Sequence, residues 1–356
     1  YPLSFFDFGM DSYLGNAVFL EAHRQNTVNF SEASFSGGLL RFGELSCALI
    51  LQLLIPLLLI FWGFDLITKE RENGTLKILL TQAISWQELI WGKTLGLCIL
   101  SLTILLPIML ISSILLVMGL DSHTGLEPIV RWGLMILSYL IFIGIVCLLT
   151  IFISAKSQSS KAALTQLIGF WLVFTLVLPK ISQVVGQNMY YSPSKIAFDS
   201  AVEADLIKLG DSHNPNDPHF SALKDSLLKA YGVDSTHKLP FNYGGVVMQE
   251  GERLSAEVFN HHQKQLVQSY EQQQDIVRKT AIINPFMAIK NISMGLSGTD
   301  YANYQDFQKQ TEAYRYKLAQ HMNQLQIKLI SNQKRKPTEK NYSISQKYWA
   351  SFTDFE

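Results

Sequence analysis

Four uncharged apolar runs, at residues 45–64, 94–120, 132–155 and 162–178, limit what this chain can fold into more than any other feature. At about 1.5 Å per helical residue, about twenty residues cover the roughly 30 Å hydrocarbon core of a bilayer. A buried helix of a soluble protein rarely carries more than about fourteen consecutive apolar positions, so four longer runs in succession read as membrane spans. Residues 180–356 are different material, rich in Gln, Asn, Ser, Lys and Asp. The expected fold class is an all-α membrane protein with at least four transmembrane helices plus an external α-helical domain.

Lys and Arg in the short loops set the expected orientation, because they concentrate on the cytoplasmic side. Residues 65–93, between the first two runs, carry Lys69, Arg71, Lys77 and Lys93, and the link between the last two carries Lys156 and Lys161. The loop 121–131 has Arg131 alone beside Asp121 and Glu127. The elbow 65–93 and the 156–161 link are therefore expected in the cytoplasm. Residues 1–44 are expected to form an extracytoplasmic N-terminal segment with a short interfacial helix over 13–25. Residues 45–179 form the transmembrane domain and 180–356 an extracytoplasmic helical domain. An external start without a basic-then-apolar signal implies a further span upstream, and both ends read as cut, so six spans are expected in the full-length parent.

Within 180–356, Phe220, Leu223, Leu227, Leu228 and Tyr231 share one helical face. Leu254, Val258, Leu266, Tyr270 and Val277 stripe a longer polar helix, which breaks at Asn284-Pro285. Tyr304, Phe307, Thr311, Tyr314, Leu318, Met322, Leu325 and Leu329 then step by three and four, as in a coiled-coil-like hairpin. The last twenty residues, after KRKP, read as weakly ordered.

The elbow carries the most local information. The first span is expected to run on through Lys69, Glu70, Arg71 and Glu72 and to end at Asn73-Gly74, a pair suited to a left-handed cap. Thr75 can cap a short amphipathic helix over 76–82 whose greasy side is Leu76, Leu79 and Leu80. Ser85-Trp86-Gln87-Glu88 is a capping box that starts the helix feeding the second span. Trp62, Trp86 and Trp91 suit an interfacial aromatic belt. The expected product is a short lever held between two spans.

The run Glu70-Arg71-Glu72-Asn73-Gly74-Thr75-Leu76, followed by Gly92-Lys93 at the next span, resembles the permease subunits of type-two, exporter-like ATP-binding cassette transporters. FDFGMDSYLG, EAHRQN and the large external insertion resemble the branch with a big extracytoplasmic domain, some members of which are linked to multicopper-enzyme maturation or gliding motility. The resemblance implies a coupling helix that docks on a separate nucleotide-binding subunit, with Glu70, Arg71, Glu72, Gly74, Thr75, Leu76, Leu79 and Leu80 as the coupling residues. It also implies an ATP-binding cassette ATPase partner and a second permease subunit in the lipid bilayer of the inner (plasma) membrane.

Other chemistries find little support. Net charge is zero, 29 basic against 29 acidic residues, so no global field favours nucleic acid. Cys47, Cys98 and Cys147 all lie in apolar runs, with neither zinc spacing nor a disulfide framework. Gly92-Lys93-Thr94 imitates the end of a phosphate-binding loop, but Gln87 stands where its first glycine belongs. ATP and Mg are expected on the partner, with no cofactor or metal in this chain. His23, His213, His219, His237, His261 and His262 lack ligand spacing, and neither G-x-S-x-G nor H-E-x-x-H occurs. The spans carry no Asp, Glu, Lys or Arg at mid-membrane, which disfavours an ion-coupled carrier. Gln52, Ser101, Thr103, Ser112, Ser113, Ser138, Thr150, Thr165 and Gln166 read as glue between helices. The sequons at Asn29 and Asn291 carry little weight if the source is bacterial. The expected function is that of a permease subunit. The alternative is a membrane-anchored structural or signalling protein whose external domain binds an envelope partner.

Overall fold

The computed structural model describes residues 1–15, 17, 18, 20, 21, 25, 45–82, 84–120, 125–212, 214 and 216–330, and among them the secondary structure is helical with no strand. The helix expected over 13–25 is corrected: among its described residues only Tyr13 and Leu14 are helical, and a glycine at φ +79° follows them. Residues 16, 19 and 22–24, the loop residues 121–124, Asn29, His213 and the tail after residue 330 lie outside the described residues. A four-residue α1 (Asp11–Leu14) comes first. Next are α2 (Cys47–Glu72), the short α3 (Thr75–Thr81), α4 (Trp86–Met118), α5 (Glu127–Lys156) and α6 (Ser160–Met189). Of these, α2, α4, α5 and α6 are the four helices long and apolar enough to cross a membrane. The remainder is α7 (Lys195–Leu209), α8 (Pro218–Tyr231), α9 (Tyr243–Ala281), α10 (Pro285–Ser297) and α11 (Tyr301–Leu329).

Two prolines that should interrupt spans are absorbed by the backbone. Proline lacks an N–H and its ring collides with the carbonyl four residues back. Pro56 and Pro179 each follow a π-helical turn, Ile50–Leu54 and Val173–Val177, which widens the helix ahead of the ring and lets it continue. The fourth run, expected to end at residue 178, is accordingly corrected to a helix reaching Met189.

The chain divides into two compact units. One contains the described residues of Tyr1–Phe19, Thr27–Ser192 and Val267–Gln310, the other those of Leu20–Asn26, Pro193–Leu266 and Thr311–Glu356. The division therefore differs from the boundary expected at residue 180, because Val267–Gln310 clusters with the spans.

In the first unit Leu51, Leu59, Met135, Tyr139, Cys147 and Ile151 are fully buried and form one core with Leu97 and Leu105. Gly63 lets α2 approach its neighbours: a Cβ there would lie 2.6 Å from Thr150 Cγ2 and 2.8 Å from Leu97 Cδ2. Ile99, Leu110, Ile111 and Ile114 of α4, with Leu137 and Ile141 of α5, point outward, so these helices are apolar all round, as spans are. The N-terminal residues do more than flank this bundle. Leu3 and Phe6 are buried in its core, and the Phe6 ring stands edge-on to Trp132 at 5.1 Å and Tyr139 at 5.7 Å.

In the second unit α9 and α11 run antiparallel. Asn242 N donates to Ile327 O at 3.0 Å, Gln320 Nε2 to Gln249 O at 3.1 Å, and Arg315 pairs with Glu252 at 2.6 Å. The buried line of α11 is rotated from the expected stripe. Arg315, Ala319 and Asn323 are buried, whereas Tyr314, Leu318, Met322 and Leu325 are half-buried and Leu329 is exposed. The cause is the ion pair, with Arg315 and Glu252 side chains each 2% exposed and Glu312 closing on Arg315 at 2.7 Å.

Candidate functional site

The elbow begins where the last turn of α2, Thr68–Glu72, gives way to Asn73 and then Gly74 at φ +75°. An L side chain resists that left-handed conformation, and glycine does not. Gly74 itself is the N-cap of α3, so Thr75 opens the helix and does not cap it. Its hydroxyl instead donates back to Glu70, to the carbonyl at 3.1 Å and to the carboxylate. At the other end Ser85 and Glu88 form a reciprocal capping box, with Glu88 N donating to Ser85 Oγ at 3.2 Å and Ser85 N to Glu88 Oε2 at 2.8 Å. Glu70 also meets Lys93 at 3.4 Å, which ties the start of the elbow to α4.

The adjacent pair Arg71-Glu72 reaches the link between α5 and α6. Arg71 donates from its guanidinium to Ala155 O at 2.6 Å and to Ser157 O, at the end of α5. Glu72 accepts from Ser160 N and Ser160 Oγ, both at 2.8 Å, at the start of α6. A helix C-terminus carries partial negative charge and an N-terminus partial positive charge, so cation and anion each sit on the complementary end. Ser154 Oγ accepts from Ile67 N at 3.2 Å, and the Thr68 and Ser160 hydroxyls are 3.0 Å apart. The elbow is thereby bound to α4, α5 and α6 together. Ser154 and Ser160 escaped the sequence reading because a serine near a helix end carries no signal of which distant side chain it meets.

The expected coupling residues divide by direction. Arg71 is half-buried, and with Glu70 and Glu72 it is committed to contacts inside the chain. Leu76 is buried, and Leu79 and Leu80 are half-buried. The outer face of α3 consists of Thr75, Lys77, Ile78 and Thr81, with Gln82 following. Ile78 is 58% exposed, an apolar side chain turned outward on a helix whose leucines turn in. Gly92-Lys93-Thr94 lies inside the continuous α4, where the backbone amides are taken by the helix, so it forms no phosphate cradle.

A second polar cluster lies in the bundle. Gln52 Nε2 donates to Tyr139 OH at 2.8 Å, Tyr139 OH to Ser293 Oγ at 3.1 Å, and Ser293 Oγ to the Asp7 carboxylate. Burial pushes the Asp7 carboxyl above the usual carboxylate range, against the lowering effect of Ser293 and of Gly9 N, which donates to Oδ1 at 3.0 Å. The spans themselves supply no acid here. Asp7 arrives from the N-terminal segment, which sequence reasoning kept outside, and only its position after two phenylalanines hinted at burial.

In the second unit histidines pair singly with carboxylates, His219 with Glu250 and His262 with Asp205, each at 2.9 Å. Arg253 and then His219 hold the Glu250 carboxyl below its usual range, and Lys208 and then His262 do so for Asp205. Among the described residues no three His, Cys, Asp or Glu side chains gather as metal ligands would.

Residues 195–356 match a family described as a domain of unknown function, DUF3526. That stretch begins beyond α6 and includes neither the spans nor the elbow. No curated protein and no solved structure matches the chain.

Proposed function

We propose that the chain is the permease subunit of an exporter-like ATP-binding cassette transporter, and that α3 is the helix on which a separate ATPase subunit acts. The observation that carries this reading is the pairing of an exposed outer face on α3, centred on Ile78, with inward ties from the same elbow to α4, α5 and α6. A lever needs both a handle and a rigid attachment. ATP and Mg sit on the partner. Closure of two ATPase subunits pushes α3, and the push reaches α4 through Glu70–Lys93, α5 through Arg71 and α6 through Glu72. A second permease subunit completes the transport path in the plasma (inner) membrane, with the elbow in the cytoplasm.

The test is co-purification from native membranes, followed by ATPase assay of the isolated complex. The wild-type chain brings down an ATP-binding cassette subunit and stimulates its hydrolysis, while Ile78→Asp loses both. A chain that purifies without an ATPase, and whose elbow variants change nothing, is instead a membrane anchor for its external unit.

A further inference from the structure

A lysine stands on a face of the bundle that is otherwise closed. The Phe286 ring meets Phe142 edge-on at 5.3 Å, and the Tyr139 hydroxyl donates to Ser293 Oγ at 3.1 Å. Lys290 lies between Phe286 and Ser293 on α10, so its backbone is level with residues 139–142 of α5 (Glu127–Lys156). That level is about 18 Å from the nearer end of α5, further than a lysine stem extends. A charged amine at such a depth faces a partner or a water-filled path, not lipid. Helical register says which way it points. At about 3.6 residues per turn, Lys290 falls within about 60° of Phe286, Met287, Ser293 and Ser297, all of them buried, and nearly opposite Ile292, which is 45% exposed. Its line is therefore the protein side of α10. Lys290 is nevertheless exposed, so that side opens into a recess that water reaches.

The ammonium is also uncommitted. Among the described residues it makes no ion pair and no hydrogen bond, and α10 contains no acid that could answer it. Asp7 comes within electrostatic reach, but its carboxylate is taken by Ser293 Oγ and by Gly9 N. About 10 Å further along the same line stands Ser297, whose hydroxyl is buried without a hydrogen-bond partner. A compact cation in line with a spare hydroxyl donor is the chemistry that receives an oxyanion. The buried Phe286 and Met287 rim the recess with apolar surface, and a charge beside apolar surface acts more strongly than one in open water.

We propose that Lys290 is a recognition residue for an oxyanion, a phosphate or carboxylate group of the cargo, held in a water-filled recess on the protein side of α10. That the anion belongs to cargo rests on the permease reading; the anion site itself does not. The test uses the full chain in phosphatidylcholine nanodiscs, which leave both faces open, with Cys47, Cys98 and Cys147 replaced by alanine. Met294→Cys, one turn from Lys290 and half-buried, carries the reporter thiol. Its labelling by an anionic and by a cationic methanethiosulfonate is timed at low ionic strength. Adding Lys290→Gln should lower the anionic-to-cationic rate ratio about tenfold, the effect of one nearby charge on reagents of opposite sign. Hexyl phosphate should slow labelling when Lys290 is present and not in Lys290→Gln, and hexyltrimethylammonium should slow neither. A thiol that neither reagent reaches overturns the recess, an unchanged ratio overturns the charge, and protection by hexyl phosphate that is indifferent to Lys290 overturns its role. Asn291→Cys gives the same readings if Met294→Cys does not fold. No readout needs an ATPase, so the anion site can fail while the permease reading stands, and the reverse.

Discussion

Replacing Arg71 by methionine separates the attachment of the lever from its handle. The substitution keeps the length of the side chain and removes donations to Ala155 O and Ser157 O at the end of α5. A hydrogen bond with one charged partner nets about 1.5–3 kcal/mol, and a cation at a helix C-terminus adds about 0.3–1. Arg71 is half-buried and water can reach the freed carbonyls, so the lower ends apply and the loss is about 2–4 kcal/mol. At about 1.4 kcal/mol per factor of ten, the link between α5 and α6 should open on the order of 30- to 1000-fold more often. Amide hydrogen exchange over residues 156–160 reads that directly. Ile78→Asp, at a site 58% exposed on the outer face of α3, should leave exchange and thermal stability within about 0.5 kcal/mol of wild type. The functional readouts should then cross: Arg71→Met still binds the ATPase but stimulates it poorly, and Ile78→Asp fails to bind. Unchanged exchange in Arg71→Met, or equal loss of binding in both variants, refutes the division into inward and outward residues.

Three further outcomes are expected. Arg315→Leu strands the buried Glu252 and should destabilise the chain by about 3–5 kcal/mol in chemical unfolding, with the Arg315→Leu/Glu252→Leu double variant recovering most of the loss. Asn284→Ala removes the cap of α10 and the bond to Phe174 O and should lower stability by about 2–3 kcal/mol, more than an ordinary N-cap loss. The raised Asp7 carboxyl gives a pH dependence of definite sign. Between the ordinary value of 3.8 and its raised value the folded chain holds the proton and the unfolded chain does not. Stability contributed by docking of residues 1–10 is thus full at low pH and falls as pH rises through that window. Asp7→Asn should flatten the change in a pH series of thermal unfolding.

The spans and the elbow caps were legible because each rests on local chemistry: unbroken apolar length, a glycine at a left-handed position, a serine three residues before a glutamate. The elbow's direction was not. Leu76, Leu79 and Leu80 announced an apolar side, but only the contacts of Arg71 and Glu72 with a link some 85 residues away show those two residues turned inward. The end of α6 was missed because Pro179 is a helix breaker in isolation, and the π turn before it has no sequence signature. The buried face of α11 was misjudged because apolar spacing dominates such readings, while a fully paired Arg315 occupies the interior with its long stem. Residues 280–289 are too short an apolar run to register as a span, so their place beside Phe142 and Phe174 emerges only from tertiary contacts.

The central claim is that α3 is the contact point for an ATPase, and a photo-crosslinking residue substituted at Ile78 tests it most directly in native membranes. The account predicts one dominant adduct that contains a nucleotide-binding cassette subunit with its own phosphate-binding loop, lost when the crosslinker is moved to the buried Leu76. Adducts with lipid or with the chain itself, and none with an ATPase, would contradict it.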